Sequence, residues 1–163
     1  MGKVSSRIWS FQSRLFVDKL DLESVGTPDW QALTPSIQLA YKWMANQLSL
    51  KTAYQTDSPP IWAWSKFEDS VKPNLEAGKQ LLSHDELSRG VVLIELNVPT
   101  ALLLHSCYET WNQFLDLVID QGTVPDDLEW LQMFSRETIH SSPTIQAVLP
   151  FIEKDWIVSI SEI

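Results

Sequence analysis

The segment Val91–Val98 constrains this chain more than any other. It reads Val-Val-Leu-Ile-Glu-Leu-Asn-Val and stops at Pro99. A near-continuous apolar run of this length predicts a strand, and its lack of alternation predicts a central position covered on both faces. Glu95 interrupts the run. It either marks a polar face or is a buried functional acid, and burial among Val, Leu and Ile would raise its pKa. The wider stretch from Val91 to Leu104 is broken by Glu95, Asn97 and Pro99. No run in the chain approaches the roughly 20 apolar residues that span a bilayer.

The other elements follow from periodicity and punctuation. Ile8-Trp9-Ser10-Phe11 within Arg7–Gln12 suits a strand, and Ser13 is placed to cap a helix carrying Leu15, Phe16, Leu20 and Leu22. Gly26–Asp29 reads as a turn. Thr34 and Pro35 then open a helix whose apolar positions are Ile37, Ala40, Tyr41, Met44 and Leu48. Thr56–Pro60 is loop-like and Ile61–Lys66 is a strand. Ser70–Arg89 is polar and weakly periodic, a surface excursion containing a short helix.

After the Val91 strand, Leu102–Leu104 adds a short one. Ser106 and Glu109 then form a capping box for a helix bearing Trp111, Phe114, Leu115, Val118 and Ile119 and ending near Gly122. Asp126–Ser135 reads as a short amphipathic helix, and Thr144–Leu149 and Trp156–Ile160 as strands. No repeat or linker divides the chain. The expectation is one α+β domain over residues 1–163, with a mostly antiparallel central sheet and about four helices.

Composition narrows the function classes. Of 163 residues, 44% are hydrophobic and 20% charged, enough for a real core and too ordered a mixture for long disorder. The net charge of −9 and the scattered Lys and Arg disfavour direct nucleic-acid binding. The lone Cys107 excludes an intrachain disulfide framework. Without an apolar leader segment the expected location is cytoplasmic. Met1–Ser6 formally fits a myristoylation signal, which we read as an ordinary start.

Several short segments resemble, in order, an uncharacterised bacterial and phage family known only as a domain of unknown function. They are Trp9-Ser10-x-Gln12, Ala40-Tyr41-x-Trp43-Met44, Pro60-Ile61-Trp62-x-Trp64, Val98-Pro99 leading to Leu104-x-Ser106 and Trp111, and Ile145-Gln146-Ala147. More remotely, Ile8–Gly26 and the pair Ile145–Leu149 and Trp156-Ile157 are similar to the opening and closing of ADP-ribosyltransferase-like folds of the DNA-modifying toxin type. That resemblance implies a pocket for a nucleotide-type ligand, with NAD as the implied cofactor. Gln146 stands at or beside the place of the expected acid. A neutral amide is no general base, so the resemblance leaves catalysis open.

The candidate ligand-binding residues are Trp9, Ser10, Gln12, Trp62, Trp64, Ser106 and Gln146. Indoles offer flat stacking faces, and a glutamine amide offers both a donor and an acceptor. Trp62 and Trp64 share a face if their segment is a strand, where they serve either as a stacking platform or as packing against Tyr41 and Met44. His105 and Cys107 could pair as base and thiolate at a helix start, although a free cysteine is more often a small core residue. Three widely separated histidines give no metal-ligand spacing, so no metal site is expected. Asp116, Asp120, Asp126, Asp127 and Glu129 cluster in sequence. They read as solvated helix faces or, as the alternative function, as the surface by which a non-enzymatic, phage-type inhibitor meets a basic protein partner.

Overall fold

The computed structural model describes residues 4–52, 54–68, 73, 76, 82 and 84–163. In chain order the elements are β1 (Ser5–Ser13), α1 (Arg14–Glu23), β2 (Val25–Gly26), α2 (Pro35–Thr52), β3 (Ile61–Lys66) and α3 (His84–Ser88). There follow β4 (Val91–Pro99), β5 (Leu104–Cys107), α4 (Tyr108–Gln121), α5 (Arg136–Ser141), β6 (Ile145–Leu149), β7 (Ile152–Glu153) and β8 (Ile157–Glu162). Six strands form one sheet in the order β5-β6-β3-β1-β4-β8, with every neighbouring pair antiparallel. β2 and β7 make a separate two-stranded ribbon. The fold is α+β around a mostly antiparallel central sheet, as expected.

Alternation along the strands divides the core into two layers. On one face Ile8, Ile61, Ala63, Ile94, Leu96, Val98, Ala147 and Leu149 pack with Val17 and Leu20 of α1. On the other, Leu104 and Val148 meet Ala40, Met44 and Leu48 of α2 and Trp111, Phe114 and Val118 of α4. The helices can pack on the sheet because their apolar residues recur every three or four positions and so form one stripe. Ser13 caps α1 by accepting from the Phe16 N–H at 3.1 Å, and Gly122 ends α4 in the left-handed conformation at φ 70°.

Several expectations are corrected in detail. β4 is not central: it lies between β1 and the edge strand β8. Its even-numbered residues Val92, Ile94, Leu96 and Val98 are buried, whereas Glu95 is half-buried and Asn97 exposed. One face is therefore fully covered and the other only in part. In α1 the buried residues are Val17 and Leu20, while Leu15 and Leu22 are exposed. Ile119 likewise points outward from α4. The segment within Asp126–Ser135 is a 3-10 helix, Leu128–Phe134, that buries Met133. Of the excursion Ser70–Arg89, α3 is seen, but residues 70–72, 74, 75, 77–81 and 83 lie outside the described residues, as do the first three residues of the myristoylation pattern.

Candidate functional site

The sheet is nearly split along its middle. β1 and β4 stay in register over nine residue pairs, from Ser5↔Pro99 to Ser13↔Val91, and β3 and β6 stay paired from Ile61↔Leu149 to Lys66↔Ile145. Between the two halves, β1 and β3 share the single register pair Trp9↔Trp64. Beyond it a side chain takes over from the ladder. The buried Ser10 hydroxyl donates to the Trp62 carbonyl at 2.6 Å and accepts from Gln12 Nε2 at 2.9 Å. Backbone groups must find partners wherever water is excluded, and here a serine supplies one that the strand does not.

A cleft of about 510 Å³ opens at this split. Phe11, Gln12 and Ser13 come from β1, and Ile61, Trp62 and Trp64 from β3. Tyr108, Trp111, Asn112 and Leu115 line it from α4, Tyr41 from α2 and Gln146 from β6. The aromatic rings pack on one another: Trp62 lies 4.6 Å from Trp111 and 5.3 Å from Tyr41 between centroids. Trp64 meets Tyr108 edge-on at 4.8 Å and 74°. Asp29 and Glu86 add carboxylates to the lining, which holds no Lys or Arg among the described residues. Burial pushes the Tyr41 phenol above its ordinary value, and the Glu86 carboxylate acts in the same direction. The nearby Trp62 N–H acts the opposite way, without making a hydrogen bond of normal geometry.

Among the described residues, three buried polar atoms around the cleft lack hydrogen-bond partners: Trp62 Nε1, Ser106 Oγ and Gln146 Oε1. Their placement follows from register. Gln146 stands opposite Trp64 on β3 and opposite Ser106 on β5, so these three residues share one face. Ser106 is not the helix cap that its Ser-x-x-Glu pattern predicts. The ladder with β6 continues through Cys107, which becomes the N-cap without a side-chain bond, and Ser106 stays in the strand with its side chain wholly buried.

The structure thus brings Gln12, Trp62, Trp64 and Gln146 to one cleft, with Ser10 behind Gln12 and Ser106 beside Gln146. Trp9 is placed differently. Although it pairs with Trp64, it does not line the cleft: it is buried, and its indole N–H donates to Glu95 Oε1 at 3.2 Å. Glu95 also pairs with Arg7 at 3.3 Å, which accounts for a carboxylate inside an apolar strand. Asp116, Asp120, Asp126, Asp127 and Glu129 are all exposed, and Asp116 and Asp120 flank a separate shallow recess with Leu117 and Ile119.

His105 and Cys107 do not form a catalytic pair. His105 lines a surface recess with Phe134, Arg136, Ile139 and His140, and burial lowers its pKa. For Cys107 burial raises the thiol, but the polar groups of Ser142, Thr110 and the Glu109 backbone around it outweigh that effect and the net shift is downward. No group of three potential metal ligands occurs among the described residues, and no helix there is long and apolar enough to cross a membrane.

Sequence reasoning passed over Phe11, Tyr108, Asn112 and the cleft role of Trp111. A usable signal was present in α4: Tyr108, Trp111, Asn112 and Leu115 fall on one helical face, apart from the deeper Phe114 and Val118. Set against known proteins, the chain matches no family model, no curated protein and no solved structure.

Proposed function

We propose that the cleft at the sheet split binds a nucleotide-type ligand, with its ring seated among Tyr41, Trp62 and Trp111. The observation that carries this reading is Gln146: a glutamine 5% exposed, on a rigid strand, lining an aromatic cleft with its amide oxygen unpaired. A buried acceptor without a donor costs about 1–3 kcal/mol, and a bound N–H group removes that cost. Aromatic walls with a few placed polar groups are the usual make-up of a small-molecule site, and a volume near 510 Å³ accommodates a nucleoside. Because the charged groups of the described lining are Asp29 and Glu86, recognition rests on the ring rather than on phosphates.

The proposal is one of binding. Gln146 has no proton to exchange as an acid or base, and turnover would need a group beyond the amides and hydroxyls gathered around it.

The test is a titration with NAD and with adenosine, followed by calorimetry and by the indole N–H signals of the eight tryptophans. Saturable binding that moves the Trp62 signal, and is weakened in Trp62→Ala, supports the assignment. No heat and no shift at millimolar concentration of either compound overturns it.

A further inference from the structure

The unpaired atoms of the cleft bear on the kind of ligand it takes. Trp62 and Gln146 lie on the same face of adjacent strands, and their register partners are Val148 and Trp64. They are therefore diagonal neighbours, Trp62 being two residues from the position directly opposite Gln146. Diagonal cross-strand residues stand about 7–8 Å apart, within joint reach of long side chains. One ends in a donor, the indole N–H, and the other in an acceptor, the amide oxygen. Both atoms are buried; the amide oxygen has no partner, and the indole N–H lies near the Tyr41 hydroxyl without making a hydrogen bond of normal geometry to it.

We infer that Trp62 and Gln146 together read a ring edge that carries an N–H donor beside a lone-pair acceptor, the amidine or amide edge of a nucleobase-type heterocycle. This rests on the proposed assignment of the cleft as a nucleotide-type site. The ring donates to Gln146 Oε1 and accepts from Trp62 Nε1. Ser106 stands opposite Gln146 on β5, wholly buried, and its hydroxyl makes no hydrogen bond to the amide. The aromatic side chains of Tyr41 and Trp111 supply area and little discrimination, because every heteroaromatic ring presents a similar face to them. Specificity then sits in the two edge groups. A site built to hydrogen-bond a ligand rejects an analogue lacking that group, since its own buried polar atoms are left unpaired.

The probes are adenosine, N6,N6-dimethyladenosine and purine riboside, titrated calorimetrically against the whole chain. Adenosine has the donor and the adjacent ring nitrogen, whereas the other two lack the N–H. The expected result is that adenosine binds about 5- to 100-fold more tightly than purine riboside, the equivalent of one unpaired buried group. Gln146→Met, which keeps the side-chain length and removes the acceptor, should bring that ratio close to one. Gln146→Glu restores an acceptor and should restore the preference. Equal affinities of the wild-type chain for all three nucleosides overturn the inference while leaving the cleft a ligand site, and this comparison depends on no variant folding. If none of the three binds, the underlying assignment falls with it.

Discussion

Ser10 donates its hydroxyl proton to the carbonyl of Trp62 at 2.6 Å, and this contact continues the join between the two halves of the sheet beyond the Trp9↔Trp64 pair. It also holds Gln12, whose amide donates to the same hydroxyl. The stitch and the cleft therefore share their residues. Where a backbone ladder would have closed the gap, a side chain spans it and leaves room alongside.

Ser10→Ala should be costly for so small a change. The Trp62 carbonyl and the Gln12 amide both lose a partner, at about 1–3 kcal/mol for an unsatisfied buried group. In a chain of this size that lowers the Tm by about 2–12 °C. Thermal denaturation with a circular-dichroism readout measures it. A change below about 1 °C would show that the two halves are held together by packing alone.

Gln146→Met should do the reverse in the ligand-free chain. Removing a buried acceptor that has no donor is neutral to stabilising, by up to about 2 kcal/mol, so the Tm holds or rises by several degrees. A marked fall in Tm would mean that the amide is already satisfied in the free protein, and the case for Gln146 as a recognition group would be lost.

Glu95 and Arg7 should separate charge from hydrogen bonding. Their ion pair is partly exposed, and such pairs contribute about 0–1 kcal/mol, so Arg7→Ala should scarcely move stability. Glu95→Leu removes the acceptor of the buried Trp9 N–H as well and should cost about 1–3 kcal/mol. Urea midpoints of the two variants give the comparison. Equal losses would assign the work of Glu95 to its charge.

His105 gives a pH dependence of definite sign. Burial lowers its pKa from the ordinary 6.5, so as the pH falls through that value the unfolded chain takes up a proton that the folded chain refuses. Stability from this residue is present in full above 6.5, declines as the pH drops, and levels off below the folded-state pKa. Subtracting the pH–stability curve of His105→Gln from that of the wild type isolates the effect. An unchanged difference across that range would place His105 in a solvent-like setting.

Parts of this architecture are written locally and were legible for that reason. Alternation of Trp62 and Trp64 bounds β3, Ser13 marks the start of α1, and Gly122 marks the end of α4. Each signal involves neighbours along the chain. Ser106 shows where local reading fails: its capping pattern is genuine chemistry, but pairing with β6 gains more, and the strand runs on past it. The split is less visible still. It depends on β1 and β3 becoming neighbours across about 50 intervening residues and then failing to stay in register, which no window of sequence records. Gln146 was legible as an amide in an apolar strand. That its oxygen has no partner depends entirely on its three-dimensional surroundings.

The strand order also sets a timetable. β1 lies in the middle of the sheet, yet its full-length partner β4 ends at Pro99, and β4 in turn receives β8, Ile157–Glu162, later still. A growing polypeptide must carry Ile8-Trp9-Ser10-Phe11 unpaired along one side until some 90 further residues have been made. Such distant pairings make folding slow and leave sticky strand edges open in the meantime. β1, made long before its partner β4, is thus among the strands most exposed to wrong partners, and expression at lower temperature or with a holding chaperone is where this chain stands to gain most.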